Sequence, residues 1–251
     1  MIKTAIVIGG SKRLGFQITR YLLKNHYQVF VLSRTENFIS KIERKIPIDN
    51  LTVYKMDLAD LEEVDFATNK LLENIQKVDL IFNIAGSEYL GKLETIGFEE
   101  LTYILDAYVR GNIFLYKKIL PLIKKSYDTH IFNFSTNWAI DKVGYESGNS
   151  IFTTTKAALS KFLDSLTSEY WKDGLSTTNF YLGALQDSTN NIISIDDRGD
   201  AIVISYKDII ELLNFLIKAK TLRITDITVL PKEKGCGKDS IHYNGIDYDT
   251  R

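Results

Sequence analysis

Three observations predict an α/β protein: a single doubly wound Rossmann-type domain with a parallel seven-stranded sheet. Short apolar, β-branched runs alternate strictly with longer segments of helical period. The short runs are apolar nearly throughout, as strands covered on both faces are. Strands separated by helices pair in parallel through right-handed crossovers. The 251 residues suit one large domain, 1–251, with a sizeable core.

The elements follow in order. "KTAIVIGG" (3–10) reads as a first strand ending in glycines, and "LGFQITRYLLKNH" (14–26) carries apolar residues at helical spacing. "YQVFVLSR" (27–34) and "LTVYKMD" (51–57) are the second and third strands. "LEEVDFATNKLLENIQK" (61–77) is an amphipathic helix, and "VDLIFNIAG" (78–86) a fourth strand that again ends at glycine. Residues 98–125 read as one long helix that tolerates Gly111 at a cost of about 1 kcal/mol. "THIFNFST" (129–136) is the fifth strand, 149–172 a helix, and "LSTTNFYLG" (175–183) the sixth strand. A helix over 206–220 and a last strand over 223–230 complete the pattern.

The bulk numbers narrow the function classes. A net charge of −1 gives no basic surface for nucleic acid or membrane. The single cysteine, Cys236, cannot form an internal disulfide, which fits a reducing cytoplasmic setting. The apolar run in MIKTAIVIGG is too short for a signal peptide, and no apolar stretch is long enough to span a bilayer. His26, His130 and His242 lack metal-ligand spacing, so no metal is expected. "GGSKRLG" lacks the G-x-S-x-G elbow of a serine hydrolase.

"AIVIGGSKRLGFQIT" is a strand, a glycine turn and a helix start. Gly9 and Gly10 allow a tight turn with no Cβ in the way of a pyrophosphate, and Gly15 allows close approach of helix and strand. The helix N-terminus would face the phosphates with free N–H groups and the positive end of its dipole.

This stretch resembles the T-G-x-x-x-G-x-G turn of the short-chain dehydrogenases/reductases. Ile8 stands at the threonine, Gly9 and Gly15 at the outer glycines, and Arg13 at the middle one. The "KRLG" form is similar to the pteridine reductase branch of that family. The resemblance runs over almost the whole chain. "MDLAD" matches the acidic position after the third strand, where the family holds adenine with Asp57. "NIAG" keeps Asn83, Ala85 and Gly86 of N-N-A-G, with Ile84 at the second asparagine. "IFNFST" matches the strand that ends at the active-site serine, "TTTKAAL" places Lys156 like the lysine of Y-x-x-x-K, and "ITDITVL" resembles I-T-G-x-x-x-x-V.

The resemblance implies a nicotinamide cofactor held by Gly9, Ser11, Lys12, Arg13, Leu14, Gly15, Ser33, Arg34, Asp57, Leu58, Asn83, Ala85, Gly86 and Lys156. NAD users place a carboxylate at the end of the second strand, on the ribose 2′-OH. Here "LSRT" puts Ser33, Arg34 and Thr35 there. Arg34 can pair with a 2′-phosphate, with Lys12 or Arg13 closing on the same group, so NADPH/NADP+ is favoured over NADH. The resemblance also implies a homodimer or homotetramer formed through the helices of 98–125 and 150–172.

At the reacting centre the family uses a tyrosine acid, a lysine, a serine or threonine hydroxyl and a helix asparagine. Lys156 is present, and the hydroxyl falls on Thr136 with Ser135 beside it. The tyrosine position is Phe152, the asparagine position Tyr108, and the proline–glycine pair after the sixth strand is Leu182–Gly183. Phenylalanine cannot donate a proton, and losing a positioned acid forfeits roughly 10²- to 10⁴-fold in rate. Three readings stay open. Another hydroxyl has moved in, from Tyr108, Tyr89 or Tyr145. Or the chain is a catalytically silent dinucleotide binder with a regulatory or scaffolding role. Or Phe152 is an engineered exchange, against which the departures at Tyr108 and Leu182 speak. The segment 184–200 is a polar substrate lid, with Asp187, Asn190, Asn191, Asp196, Asp197 and Arg198, and suits a small polar substrate. A polar tail follows over 231–251.

Overall fold

The structure, a computed structural model, describes residues 2–86, 92–140, 150–186 and 203–231. Seven strands form one sheet in the order β3-β2-β1-β4-β5-β6-β7. They are β1 (Thr4–Ile8), β2 (Gln28–Ser33), β3 (Leu51–Lys55), β4 (Leu80–Asn83), β5 (Thr129–Thr136), β6 (Leu175–Leu182) and β7 (Asp226–Val229). Every pairing is parallel. The strand order reverses at β1, between β2 and β4, the place where open α/β sheets leave a crevice beyond the strand ends.

The two-residue period of the strands separates two cores. Ala5, Val7, Val29, Val31, Phe82 and Phe132 point to the face covered by α1 (Arg13–Lys24) and α6 (Tyr206–Lys218). Ile6, Ile8, Phe30, Leu32, Ile81 and Ile131 point to the opposite face. That face is covered by α2 (Leu61–Asn74), α4 (Gly111–Ser126) and α5 (Ser150–Tyr170). Burial on both faces is why these strands read as continuous apolar runs. No helix of the described residues is long and apolar enough to cross a membrane.

Several boundaries differ from the sequence expectation. The helix expected over 61–77 begins where Asp60 accepts the Glu62 and Glu63 amides, and ends at Asn74 because Ile75 turns extended. The segment expected as one helix over 98–125 is α3 (Phe98–Leu105), a π-helical turn (Asp106–Arg110) and then α4. In that turn the Gly111 amide reaches back five residues to the Asp106 carbonyl. The Asn112 side chain takes up the carbonyls of Ala107 and Tyr108, each at 3.0 Å. Gly111 has a packing reason as well, since a Cβ there would lie 1.8 Å from the Leu58 carbonyl oxygen. The last strand is shorter than 223–230, and residues 187–200 of the segment expected as a lid (184–200) and the tail from 232 onward lie outside the described residues.

The turn after β1 leaves no room for a side chain where α1 begins. A Cβ on Gly15 would stand 2.1 Å from the Gly9 carbonyl oxygen. Gly15→Ala is therefore expected to destabilise the protein by about 1–3 kcal/mol through overpacking. Urea unfolding measures this, and an unchanged midpoint would contradict the close approach.

Candidate functional site

The crevice is built from the glycine turn upward. Gly9 adopts φ +87°, its amide donates to the Leu32 carbonyl at 2.8 Å, and a Cβ there would meet the Ala85 backbone at 2.8 Å. The turn after β1 and the "NIAG" turn after β4 are thus in direct contact, with the Ile84 amide donating to the Ile8 carbonyl at 3.0 Å. Buried Thr19 ties the turn to α1 by donating to the carbonyls of Gly10 and Gly15, each at 3.0 Å. Arg13, at the family's middle glycine, stands in the left-handed region at φ 48°. That conformation costs a side-chain-bearing residue about 1–2 kcal/mol and explains why glycine suits the position. Lys12 opens α1 in extended conformation, no described side chain caps it, and no acidic residue lies in the first turn. The amide end of α1 is left to an anion.

At the neighbouring strand ends, Ser33 is buried and donates to the Thr35 carbonyl at 2.7 Å, which shapes the chain leaving β2. Arg34 follows, exposed, and donates to the Tyr103 hydroxyl at 2.8 Å. Asp57 accepts from that same hydroxyl at 3.1 Å and from the Ala59 amide at 3.0 Å. Leu58 is a core residue whose carbonyl backs onto Gly111. Asn83 is buried, and its amide donates to Asn112 at 2.7 Å and Tyr116 at 3.3 Å. It ties the end of β4 to α4, which covers that face of the sheet, while its own carbonyl oxygen is buried with no partner among the described residues. Burial drives the pKa of Tyr116 up, so this group stays a neutral phenol.

The ends of β5 and α5 gather the other expected residues. Lys156 is 7 % exposed and donates from Nζ to the Phe134 carbonyl at 2.9 Å. Burial lowers its pKa to about 8. Nζ also lies 5.1 Å from the centre of the Tyr108 ring, a cation–π contact. Tyr108 sits on the π-helical turn, is 2 % exposed, and its hydroxyl would be 2.5 Å from a methyl placed on Gly86. Its side chain therefore points inward, against the "NIAG" turn. Phe152 stands edge-to-face with both Tyr108 (6.3 Å) and Trp138 (6.4 Å). Thr136 ends β5 and accepts from the Trp138 amide at 3.4 Å, while the Ser135 hydroxyl beside it is buried without a partner among the described residues. Tyr89 and Tyr145 lie outside the described residues.

The structure thus brings Thr136, Phe152, Lys156 and Tyr108 into one cluster, and Gly9, Gly15, Ala85 and Gly86 into another beside it. Ser11 and Leu14 belong to the turn and the start of α1, Leu14 packing into the core. Tyr103, Asn112 and Trp138 are additions that the sequence reading does not contain as site residues. An asparagine one residue after a helix glycine was the available signal for Asn112, because asparagine side chains bind helix carbonyls. His130 is a packing residue, stacked on Phe132 at 4.1 Å, with burial lowering its pKa to about 4. Among the described residues no group of His, Cys, Asp and Glu could hold a metal.

These features meet a set of known proteins. An uncharacterised oxidoreductase of Staphylococcus aureus is 23 % identical over 230 residues, covering 91 % of this chain and 97 % of that one. One from Staphylococcus haemolyticus is 24 % identical over 181 residues, covering 72 % and 77 %. Among solved structures, an alcohol dehydrogenase from Thermococcus sibiricus complexed with 5-hydroxy-NADP superposes with a TM-score of 0.78 at 17 % identity, over 94 % of this chain and 100 % of that one. L-Sorbose reductase from Gluconobacter frateurii, complexed with NADPH and L-sorbose, gives 0.77 at 18 %, over 92 % and 96 %. With the short chain dehydrogenase pattern matching residues 3–197, across the glycine turn, the "NIAG" turn and Lys156, the chain belongs to the short-chain dehydrogenase family.

Proposed function

We propose that the protein is an NADP(H)-dependent oxidoreductase that interconverts a carbonyl and an alcohol on a small polar substrate. The observation that carries the reading is Arg34. A guanidinium, not a carboxylate, leaves the end of β2, where dinucleotide-binding folds read the ribose 2′-substituent. The residues present fit the cofactor. The Gly9–Gly15 turn and the amide end of α1 would hold the pyrophosphate, with Lys12 and Arg13 adding charge. Arg34 would hold the 2′-phosphate and Asp57 the adenine. Lys156 spends one of its three N–H groups on Phe134, leaving two for ribose hydroxyls. Two superposable neighbours were solved with NADP-type cofactors, which supports the same choice. A homodimer or homotetramer in the cytoplasm is part of the proposal.

The cofactor, when bound, supplies or accepts a hydride. The protein must then orient the substrate oxygen and move a proton to or from it. Thr136, with Ser135 beside it, would orient the oxygen. Phe152 has no proton to give. Tyr108 supplies the missing hydroxyl from the facing helix, its ring over the Lys156 ammonium and against Gly86. In this reading Tyr108 is the relocated acid. A second reading, a silent NADP(H) binder, is favoured by one feature: the ring of Phe152 packs nearly perpendicular to both Tyr108 and Trp138, hydrocarbon where the family has its acid.

Titration with NADPH and NADH, followed by tryptophan fluorescence, should show tighter NADPH binding. Arg34→Ala should weaken NADPH by about 1.5–3 kcal/mol, the worth of a hydrogen bond to a charged group, and spare NADH. Turnover of a carbonyl panel with NADPH should fall roughly 10²-fold or more in Tyr108→Phe if that hydroxyl is the acid. Phe152→Tyr should raise turnover of the same panel. Loss of neither activity nor binding in Tyr108→Phe would return the proton to water. Lys156 also predicts a pH signature. Its folded pKa of about 8 lies below the ordinary lysine value of 10.5, so between these pH values the unfolded chain binds more protons and stability rises with pH. Below about pH 8 the burial penalty is full. Urea unfolding across that window should show the rise in the native protein and a flatter profile in Lys156→Met.

A further inference from the structure

We propose that Tyr103 is a positioning residue for cofactor choice, holding Arg34 where it meets the ribose 2′-phosphate; the inference rests on the NADP(H) reading above. β2 and β3 are adjacent, with Ser33 opposite Lys55, so Arg34 and Asp57 leave the sheet side by side. Left alone, a guanidinium and a carboxylate so placed would swing together and neutralise each other. Among the described residues they form no direct ion pair. The Tyr103 hydroxyl stands between them, brought from α3, at 2.8 Å from Arg34 and 3.1 Å from the nearer oxygen of Asp57.

The chemistry allows only one direction through this bridge. Guanidinium has donors alone, ionised carboxylate has acceptors alone, and a phenol has one proton. Arg34 must donate to the phenol oxygen, and the phenol must donate to Asp57. Both bonds are charge-assisted. Partial burial raises the Tyr103 pKa, the Asp57 charge raises it further, and Arg34 opposes only in part, so the phenol keeps the proton that the bridge needs.

The bridge engages a single nitrogen of the guanidinium. The rest of the fork stays available to a phosphate, which it can grip with two parallel bonds. A long, rotamer-rich side chain is thereby partly ordered before the ligand arrives, which lowers the entropy lost on binding. Asp57 is held apart from Arg34, for the adenine edge. Tyr103 thus separates two opposite charges that serve two different parts of one nucleotide.

The test is a set of NADPH and NADH dissociation constants for the full chain and for Tyr103→Phe, Arg34→Ala and the double variant, with thermal midpoints measured without cofactor. Phenylalanine keeps the ring and removes only the bridge. Tyr103→Phe should weaken NADPH by about 10-fold and change NADH by less than about 2-fold. In the Arg34→Ala background the same substitution should cost NADPH little more, because the two residues act through one path. Equal weakening of both cofactors, or an undiminished effect without Arg34, would overturn the proposal and leave Tyr103 a packing residue. The underlying reading fails differently: Arg34→Ala would then leave NADPH binding unchanged, and the proposal would fall with it. A midpoint drop in Tyr103→Phe with cofactor binding intact also overturns it.

Discussion

The closeness with which the turn after β1 approaches its neighbours governs the carboxyl end of this sheet. Gly15 lies against the Gly9 carbonyl, and Gly9 lies against the Ala85 backbone. Three chain segments, from β1, α1 and β4, therefore meet with no side chain between them. The amide end of α1 is aimed over the crevice as a result, and the "NIAG" turn is set at a fixed height beside it. Tyr108 then packs on Gly86, Lys156 under Tyr108, and Phe152 against its edge. Thr19 secures the arrangement from beneath with one hydroxyl shared between two carbonyls.

The reacting end is unusual in its balance of polar and apolar groups. A buried lysine with a lowered pKa is bounded by aromatic rings, and its one described hydrogen bond goes to a backbone carbonyl. Such a lysine is held mainly by geometry and ring electrostatics, with no carboxylate partner among the described residues to fix its charge. Two hydroxyls at the end of β5 lie at different readiness. Thr136 already accepts a backbone amide, while Ser135 is buried without a described partner. Under the proposed function, hydroxyls to orient an oxygen are present at the end of β5, while Phe152 offers no proton.

Much of this was legible in the letters. Strands buried on both faces show as unbroken apolar runs, so the sheet and its parallel order follow from alternation. Gly9, Gly15 and Lys156 were legible because each fills a position with a strict local requirement. Arg13 was legible as a departure, and its left-handed backbone shows what the departure costs. The Arg34–Tyr103–Asp57 bridge was not legible, because its members are 69 and 46 residues apart and nothing local marks them. Nor was the role of Asn83. Its amide also binds Asn112 and Tyr116 of the helix packed on its own face of the sheet, partners 29 and 33 residues away that nothing local marks. The helix expected over 61–77 stops at Asn74, because apolar period persists past the point where the backbone turns extended.

The π-helical turn between α3 and α4 escaped the sequence for a different reason, and it has a geometric consequence. In an unbroken α-helix, residues five apart differ in azimuth by about 140°, so Tyr103 and Tyr108 would face different surroundings. A π turn winds more slowly per residue and narrows that difference, Tyr108 lying within it. The turn thus acts as a phase shifter, bringing two tyrosines onto one side of a single rod. One serves the end where Arg34 and Asp57 stand, the other the end where Lys156 stands. Removing a single residue from Asp106–Arg110 would mend the helix ladder and rotate one end away from the other. The irregularity is the device by which one helix addresses both halves of the crevice, with the Asn112 side chain binding the carbonyls it leaves open.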